Sequence, residues 1–142
     1  YELVFGDWSS DVCSSDLGKR TETAAQDARP VAASSASVLI EIGGNDLLGG
    51  TSGQDFERSL TALLETVCTP GRSVAMFELP LPPFRQAYGR SQRRLARKHG
   101  VTLIPKRILA DILADPHATV DGIHLSGIGH ARLAARLGSL LD

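Results

Sequence analysis

The chain has 142 residues, 42% apolar, 22% charged and 5% aromatic, with a formal net charge of -1. Those proportions read as one globular domain rather than a disordered tail or a fibre, and a charge this close to neutral gives no reason to expect a nucleic-acid partner. No run reaches the roughly 18 apolar residues of a membrane span, no basic-then-apolar leader is visible, and two distant cysteines, Cys13 and Cys68, make neither a disulfide framework nor a metal pair. No membrane span and no zinc or cystine scaffold is therefore expected.

Composition breaks near residue 17. Residues 1–17 hold three of the seven aromatics and four of the sixteen acids, with no Lys or Arg, whereas all 15 bases lie from Gly18 onward. The run Asp7-Trp8-Ser9-Ser10-Asp11-Val12-Cys13-Ser14-Ser15-Asp16-Leu17 resembles, residue for residue, the translation of a common short-read sequencing adapter. Residues 1–17 are accordingly read as a non-native segment and 18–142 as the C-terminal part of a single domain.

In chain order, Val38–Ile42 reads as a buried strand and Phe56–Val67 as a helix with apolar residues at helical spacing, Gln54-Asp55 standing just before it. Pro70-Gly71 breaks the chain before a second strand, Ser73–Leu79. A helix over Phe84–His99 ends at Gly100, which has the character of a left-handed C-terminal cap. Val101–Ile104 is a third strand. Helices at Ile108–Leu113 and Ile128–Leu141 complete the pattern, the last one capped by Ser126. Strands alternating with helices imply a parallel sheet with right-handed crossovers and helices on both faces, with ligands at the carboxyl ends of the strands.

Two short motifs stand at such ends. The first strand runs into Gly43-Gly44-Asn45-Asp46, and Asp121-Gly122-Ile123-His124 precedes the last helix. In these the sequence resembles the SGNH hydrolases, also called GDSL-type esterases, whose third motif is Gly-x-Asn-Asp and whose fifth is Asp-x-x-His. Within them it looks most like the bacterial arylesterase, lysophospholipase and acyl-CoA thioesterase I group. The resemblance implies a three-layer α/β/α, flavodoxin-like fold and a serine hydrolase of small acyl or aryl esters or thioesters that uses no cofactor.

The chemistry explains these residue types. A serine attacking an ester needs a base, and an imidazole with an unperturbed pKa of about 6.5 serves, which makes His124 the candidate. A carboxylate three residues earlier, Asp121, can fix its tautomer and stabilise the imidazolium. Asn45, at a strand end beside small glycines, can donate to an oxyanion. The family's second oxyanion donor is a glycine amide in the second motif. Gly18, opening Gly18-Lys19-Arg20-Thr21, matches it by resemblance.

The family's nucleophile is the serine of a Gly-Asp-Ser motif closing the first strand. No such tripeptide occurs in the chain. Ser9, in Phe5-Gly6-Asp7-Trp8-Ser9, is displaced by one and lies in the adapter-like run, so it is rejected. The chain is expected to be inactive and to lack the first two strands of a 2-1-3-4-5 sheet. That would leave Val38–Ile42 as an uncovered edge liable to aggregate.

Other features have plainer readings beside functional ones. Asp46 reads as a brace for its turn. Gly44, Leu47, Pro80 and Pro82 are candidates for substrate loops, the stretch 47–53 reading as a flap or a simple connection and Leu79-Pro80-Leu81-Pro82 as an acyl groove or a rigid strand stop. Arg90, Arg93, Arg94, Arg97 and Lys98 form a basic helix face, ordinarily solvated, and His99, His117 and His130 have no partner at ligand spacing. Cys68 reads as a small hydrophobe at a helix end. A non-catalytic binding module and a carbohydrate-ester deacetylase are the alternatives on the same fold, and localisation is not legible.

Overall fold

The computed structural model of the protein describes residues 2–4, 20–34, 37–82 and 85–141. Gly18, Phe84 and the adapter-like run lie outside the described residues. The chain divides into two compact units, Tyr1–Ile104 and Pro105–Asp142.

The first unit is built on a parallel sheet. Its strands are β1 (Glu2–Val4), β2 (Ser37–Ile40), β3 (Ser73–Phe77) and β4 (Thr102–Ile104), in the spatial order β1-β2-β3-β4. Val4 is registered on Ile40, Ile40 on Met76, and Phe77 on Ile104. The connections are α1 (Thr21–Ser34), then the short α2 (Gly44–Leu48) with α3 (Gly53–Val67), then α4 (Gln86–His99). The second unit comprises α5 (Lys106–Leu113), a 3-10 turn at Pro116–Ala118, and α6 (Gly127–Leu141).

The predicted alternation is present, and its driving force is visible in the core. Val38, Ile40, Val74 and Met76 alternate along β2 and β3 and pack with Ala24 and Ala28 of α1, the Phe56–Leu60–Leu63–Leu64–Val67 stripe of α3, and Tyr88 and Leu95 of α4. The intervening Leu39, Ala75 and Phe77 are buried as well. Burial of both faces explains why these strands are continuous apolar runs.

Local signals set most boundaries. α3 starts two residues before Gln54-Asp55 runs out, because Ser52 is the cap. The Asp55 N–H donates to Ser52 Oγ at 3.1 Å while the Ser52 hydroxyl donates to Asp55 Oδ2 at 2.7 Å. Gly100 closes α4 in the left-handed region, and Ser126 caps α6, accepting from the Gly129 N–H at 3.2 Å. Cys68 ends α3, half-buried against the core, and burial pushes its thiol pKa up.

Two expectations are corrected. β2 and β3 stop at Ile40 and Phe77, short of Ile42 and Leu79, because those apolar residues pack onto the core from the turns that follow rather than from the ladder. The Val38–Ile42 region is not an uncovered edge either, because β1 pairs along β2. Three residues within a segment set aside on composition gave no periodicity from which to read that strand.

β2 leaves the sheet through Gly43, at φ 106°. A Cβ there would stand 2.8 Å from a Phe56 ring carbon and 2.9 Å from Leu79 Cδ1, so both the conformation and the space demand glycine. Gly43→Ala is expected to lose roughly 2–4 kcal/mol of stability. Gly44→Ala, into open space at the first position of α2, should change it by less than about 1 kcal/mol. Denaturant midpoints of the two variants check the contrast.

Candidate active site

The Asn45 loop forms at the carboxyl end of the sheet, where parallel α/β proteins gather ligands. Gly43 turns the chain and α2 begins at once, so that Asn45 is its second residue, half-buried, and Asp46 points inward at 1% exposure. Asp46 Oδ2 accepts from both the N–H and the hydroxyl of Thr21, at 2.8 and 2.7 Å. The expected brace is thus a tie to the start of α1, 25 residues away in sequence. Arg20, just before Thr21, lays its guanidinium against Gly49, where a Cβ would meet Nη2 at 2.5 Å.

The stretch 47–53 is fastened rather than loose at Thr51. The Thr51 N–H donates to the Asp46 carbonyl at 2.9 Å, and its own carbonyl accepts from the Tyr88 hydroxyl at 2.7 Å. Tyr88 stacks on Phe56 with ring centroids 4.1 Å apart. Burial pushes the Tyr88 pKa up and the Asp46 carboxylate adds to the shift, so the hydroxyl stays a donor. Leu47 packs partly buried against the core, whereas its neighbour Leu48 is 68% exposed. Gly44 has open space around it.

After β3, the chain is held by a residue the sequence reading missed. Buried Gln92 of α4 donates from Nε2 to the Phe77 carbonyl at 3.0 Å and accepts the Leu79 N–H on Oε1 at 3.0 Å. This side chain replaces the ladder where β3 ends, fixing the departure of Leu79-Pro80-Leu81-Pro82, with Pro80 half-buried and Pro82 exposed. No spacing rule could have revealed Gln92, since its two partners are 15 and 13 residues distant. On the basic face of α4, Arg93 pairs with Glu78 and Arg94 with Glu57, while Arg90, Arg97 and Lys98 are exposed.

In the second unit, Asp121 and His124 are brought together by a small loop. Thr119 and Leu125 form an antiparallel bridge, the Val120 N–H donates to the His124 carbonyl at 2.8 Å, and Gly122 turns the chain at φ 88°. Asp121 Oδ1 accepts from the backbone N–H of His124 at 2.8 Å and of Ile123 at 3.0 Å. Its other oxygen, Oδ2, stands 2.5 Å from His124 Nδ1. Above all the His124 backbone N–H, then its ring, then the Ile123 N–H, hold the Asp121 carboxyl at about 2, well below its ordinary value. An ionised carboxylate only accepts, so His124 Nδ1 is the donor in this contact.

Around this loop Val120 and Ile123 are 72% and 54% exposed. His117 is exposed and His130 half-buried, while half-buried His99 has no hydrogen-bond partner for its Nε2. Among the described residues no cluster of three His, Cys, Asp or Glu could hold a metal ion, and no helix is long and apolar enough to cross a membrane.

The first unit thus carries an Asn two residues after a left-handed glycine at a strand end, and the second an Asp–His pair three residues apart. The chain belongs to the GDSL-like lipase/acylhydrolase family, whose model matches residues 6–132. Solved structures agree on the fold. The psychrotrophic esterase EstA from Pseudoalteromonas sp., in a structure inhibited by monoethylphosphonate, superposes with a TM-score of 0.75 at 19% identity, over 86% of this chain and 70% of that one. TesA superposes at 0.68 and 22% identity, covering 86% and 69% of the two chains. The Clostridium thermocellum family 3 carbohydrate esterase gives 0.62 at 22% identity, over 83% of this chain and 62% of that one. No curated protein sequence matches significantly.

The low Asp121 pKa has a testable consequence. Because the folded value is depressed, its contribution to stability is complete above the ordinary value of 3.8 and is lost as pH falls towards about 2. A carboxyl-carbon NMR titration should place its midpoint near 2. In His124→Ala the midpoint should rise yet stay below 3.8, since the backbone amides remain.

Proposed function

We propose that this protein is built to hydrolyse carboxylic esters or thioesters with apolar acyl or aryl groups, and that the chain as it stands lacks its nucleophile. The observation that carries the reading is the 2.5 Å contact between His124 Nδ1 and an Asp121 carboxylate already capped by two amides, which leaves Nε2 as base. In a complete site a serine hydroxyl adds to the acyl carbonyl as its proton passes to His124 Nε2. Asn45 donates to the oxyanion, with the Gly18 N–H as second donor. Collapse expels the alcohol or thiol, which takes the proton from His124, and water then cleaves the acyl-serine by the same route.

Three facts support a position for the missing serine. Val4 closes that strand opposite Ile40, the next residues are Phe5-Gly6-Asp7, and the family match starts at residue 6. These facts support reading Gly6-Asp7 as the opening of the nucleophile motif, with Trp8 where the serine belongs. On this reading Gly6 is native after all, and the adapter-like run, which begins at Asp7, stands in place of native sequence up to Gly18.

Apolar exposure supports acyl over carbohydrate esters. Leu48 lies three residues beyond Asn45, and Val120 and Ile123 flank Asp121 and His124, all more than half exposed. Exposed apolar groups beside reacting residues suit an aliphatic or aryl substrate better than a sugar.

The test compares this chain with one in which Gly6-Asp7-Ser and a relative's intervening segment replace the adapter-like run. The restored chain should hydrolyse p-nitrophenyl butyrate, and this chain should not exceed the buffer rate. His124→Ala and Asn45→Ala in the restored chain should each lower kcat by about 10²-fold or more. Equal turnover by both chains, or an unaffected Asn45→Ala, would sink the assignment.

A further inference from the structure

We infer that the buried Asp46–Thr21 pair aims the Asn45 side chain, making Asp46 and Thr21 positioning residues for oxyanion stabilisation. The inference rests on the role of Asn45 proposed above.

The helix α2 that carries Asn45 has five residues, and its cap, Gly43, makes no side-chain hydrogen bond to it. At its two ends the Leu47 N–H donates to the Gly43 carbonyl at 3.0 Å and the Gly49 N–H to the Asn45 carbonyl at 2.9 Å. A single turn so short has no stability of its own, so its orientation must be imposed from outside. Asp46 imposes it. Successive helical residues stand about 100° apart around the axis, so fixing Asp46 inward also fixes the direction of Asn45.

The tie is directional in a way that packing is not. Thr21 is fully buried and delivers both of its donors, N–H and hydroxyl, to the single oxygen Oδ2 of a carboxylate only 1% exposed. An apolar pair of similar volume would fill the same space without the cost of burying a charge. What the carboxylate adds is a fixed rotation of α2. Its own carbonyl is held by the Thr51 N–H, and Thr51 in turn by Tyr88, so the helix cannot swing away from Thr21.

The test uses the chain as it is, with butyrate as a probe for the carboxylate product and the Asn45 side-chain amide resonance as the readout. In the wild type that resonance should shift and saturate. Thr21→Ser, which keeps the hydroxyl, should match it. Thr21→Val and Asp46→Asn should each weaken butyrate binding about tenfold, as expected for a lost buried hydrogen bond to a charged group. In the restored chain the same two variants should lower kcat with KM nearly unchanged, a split that destabilisation alone would not produce. If Thr21→Val fails to fold, Asp46→Asn, which keeps the volume and an acceptor oxygen, decides the matter. Wild-type butyrate affinity in the folded variants overturns the positioning role and leaves the hydrolase reading standing. An Asn45 resonance unmoved by butyrate in the wild type overturns both.

Discussion

The exit of β2 allows no side chain. At residue 43 the backbone is left-handed, and the Phe56 ring and the Leu79 methyl already occupy the space a Cβ would need. From that one constraint the form of the Asn45 loop follows. The chain reverses within a single residue, α2 starts without a capping side chain, and Asn45 and Asp46 emerge on adjacent flanks of one turn. Phe56 in turn stacks on Tyr88, whose hydroxyl holds Thr51, so core and loop are packed through the same aromatic pair. The glycine is where the hydrophobic core and the polar site press on each other.

The second unit solves a comparable problem by other means. The Asp121 loop is exposed, so no core orients it, and hydrogen bonds within a few residues take that part. Such bonds to a charged acceptor are strong for their kind and need little burial to persist. A buried tie across 25 residues and an exposed tie across three are two routes to the same end, a side chain held in one direction.

How much of this could be read in advance depended on the distance between cause and effect along the chain. The α3 stripe from Phe56 to Val67 was legible because a single helix face meets the core at a regular period. The Asp121–His124 pair was legible because both partners lie within one turn of chain. Helix α2 was not, since Gly-Gly-Asn-Asp has the composition of a turn and Thr21, to which its Asp46 is tied, lies 25 residues away. Gln92 and Thr21 were invisible because each acts on residues more than a dozen positions away. Strand ends were overdrawn at Ile42 and Leu79, where burial comes from turn packing and hydrophobicity alone does not distinguish the two. The basic face of α4 was legible as a charge pattern, yet its pairing of Arg93 with Glu78 and Arg94 with Glu57 was not.

The self-sufficiency of the Asp121 loop bears on what an Asp-x-x-His motif reports when it is met by itself. The hydrogen bonds that shape it run among residues 117–126, through the Thr119–Leu125 bridge, the Asp121 carboxylate and the Ser126 hydroxyl on the His117 carbonyl. A copy that has lost its nucleophile can therefore carry a well-oriented imidazole for as long as those few codons survive. Surveys of genomes keyed to Asp-x-x-His would gather silent descendants together with working enzymes. The sorting has to be done at the other end of the chain, at the residue that follows Gly-Asp.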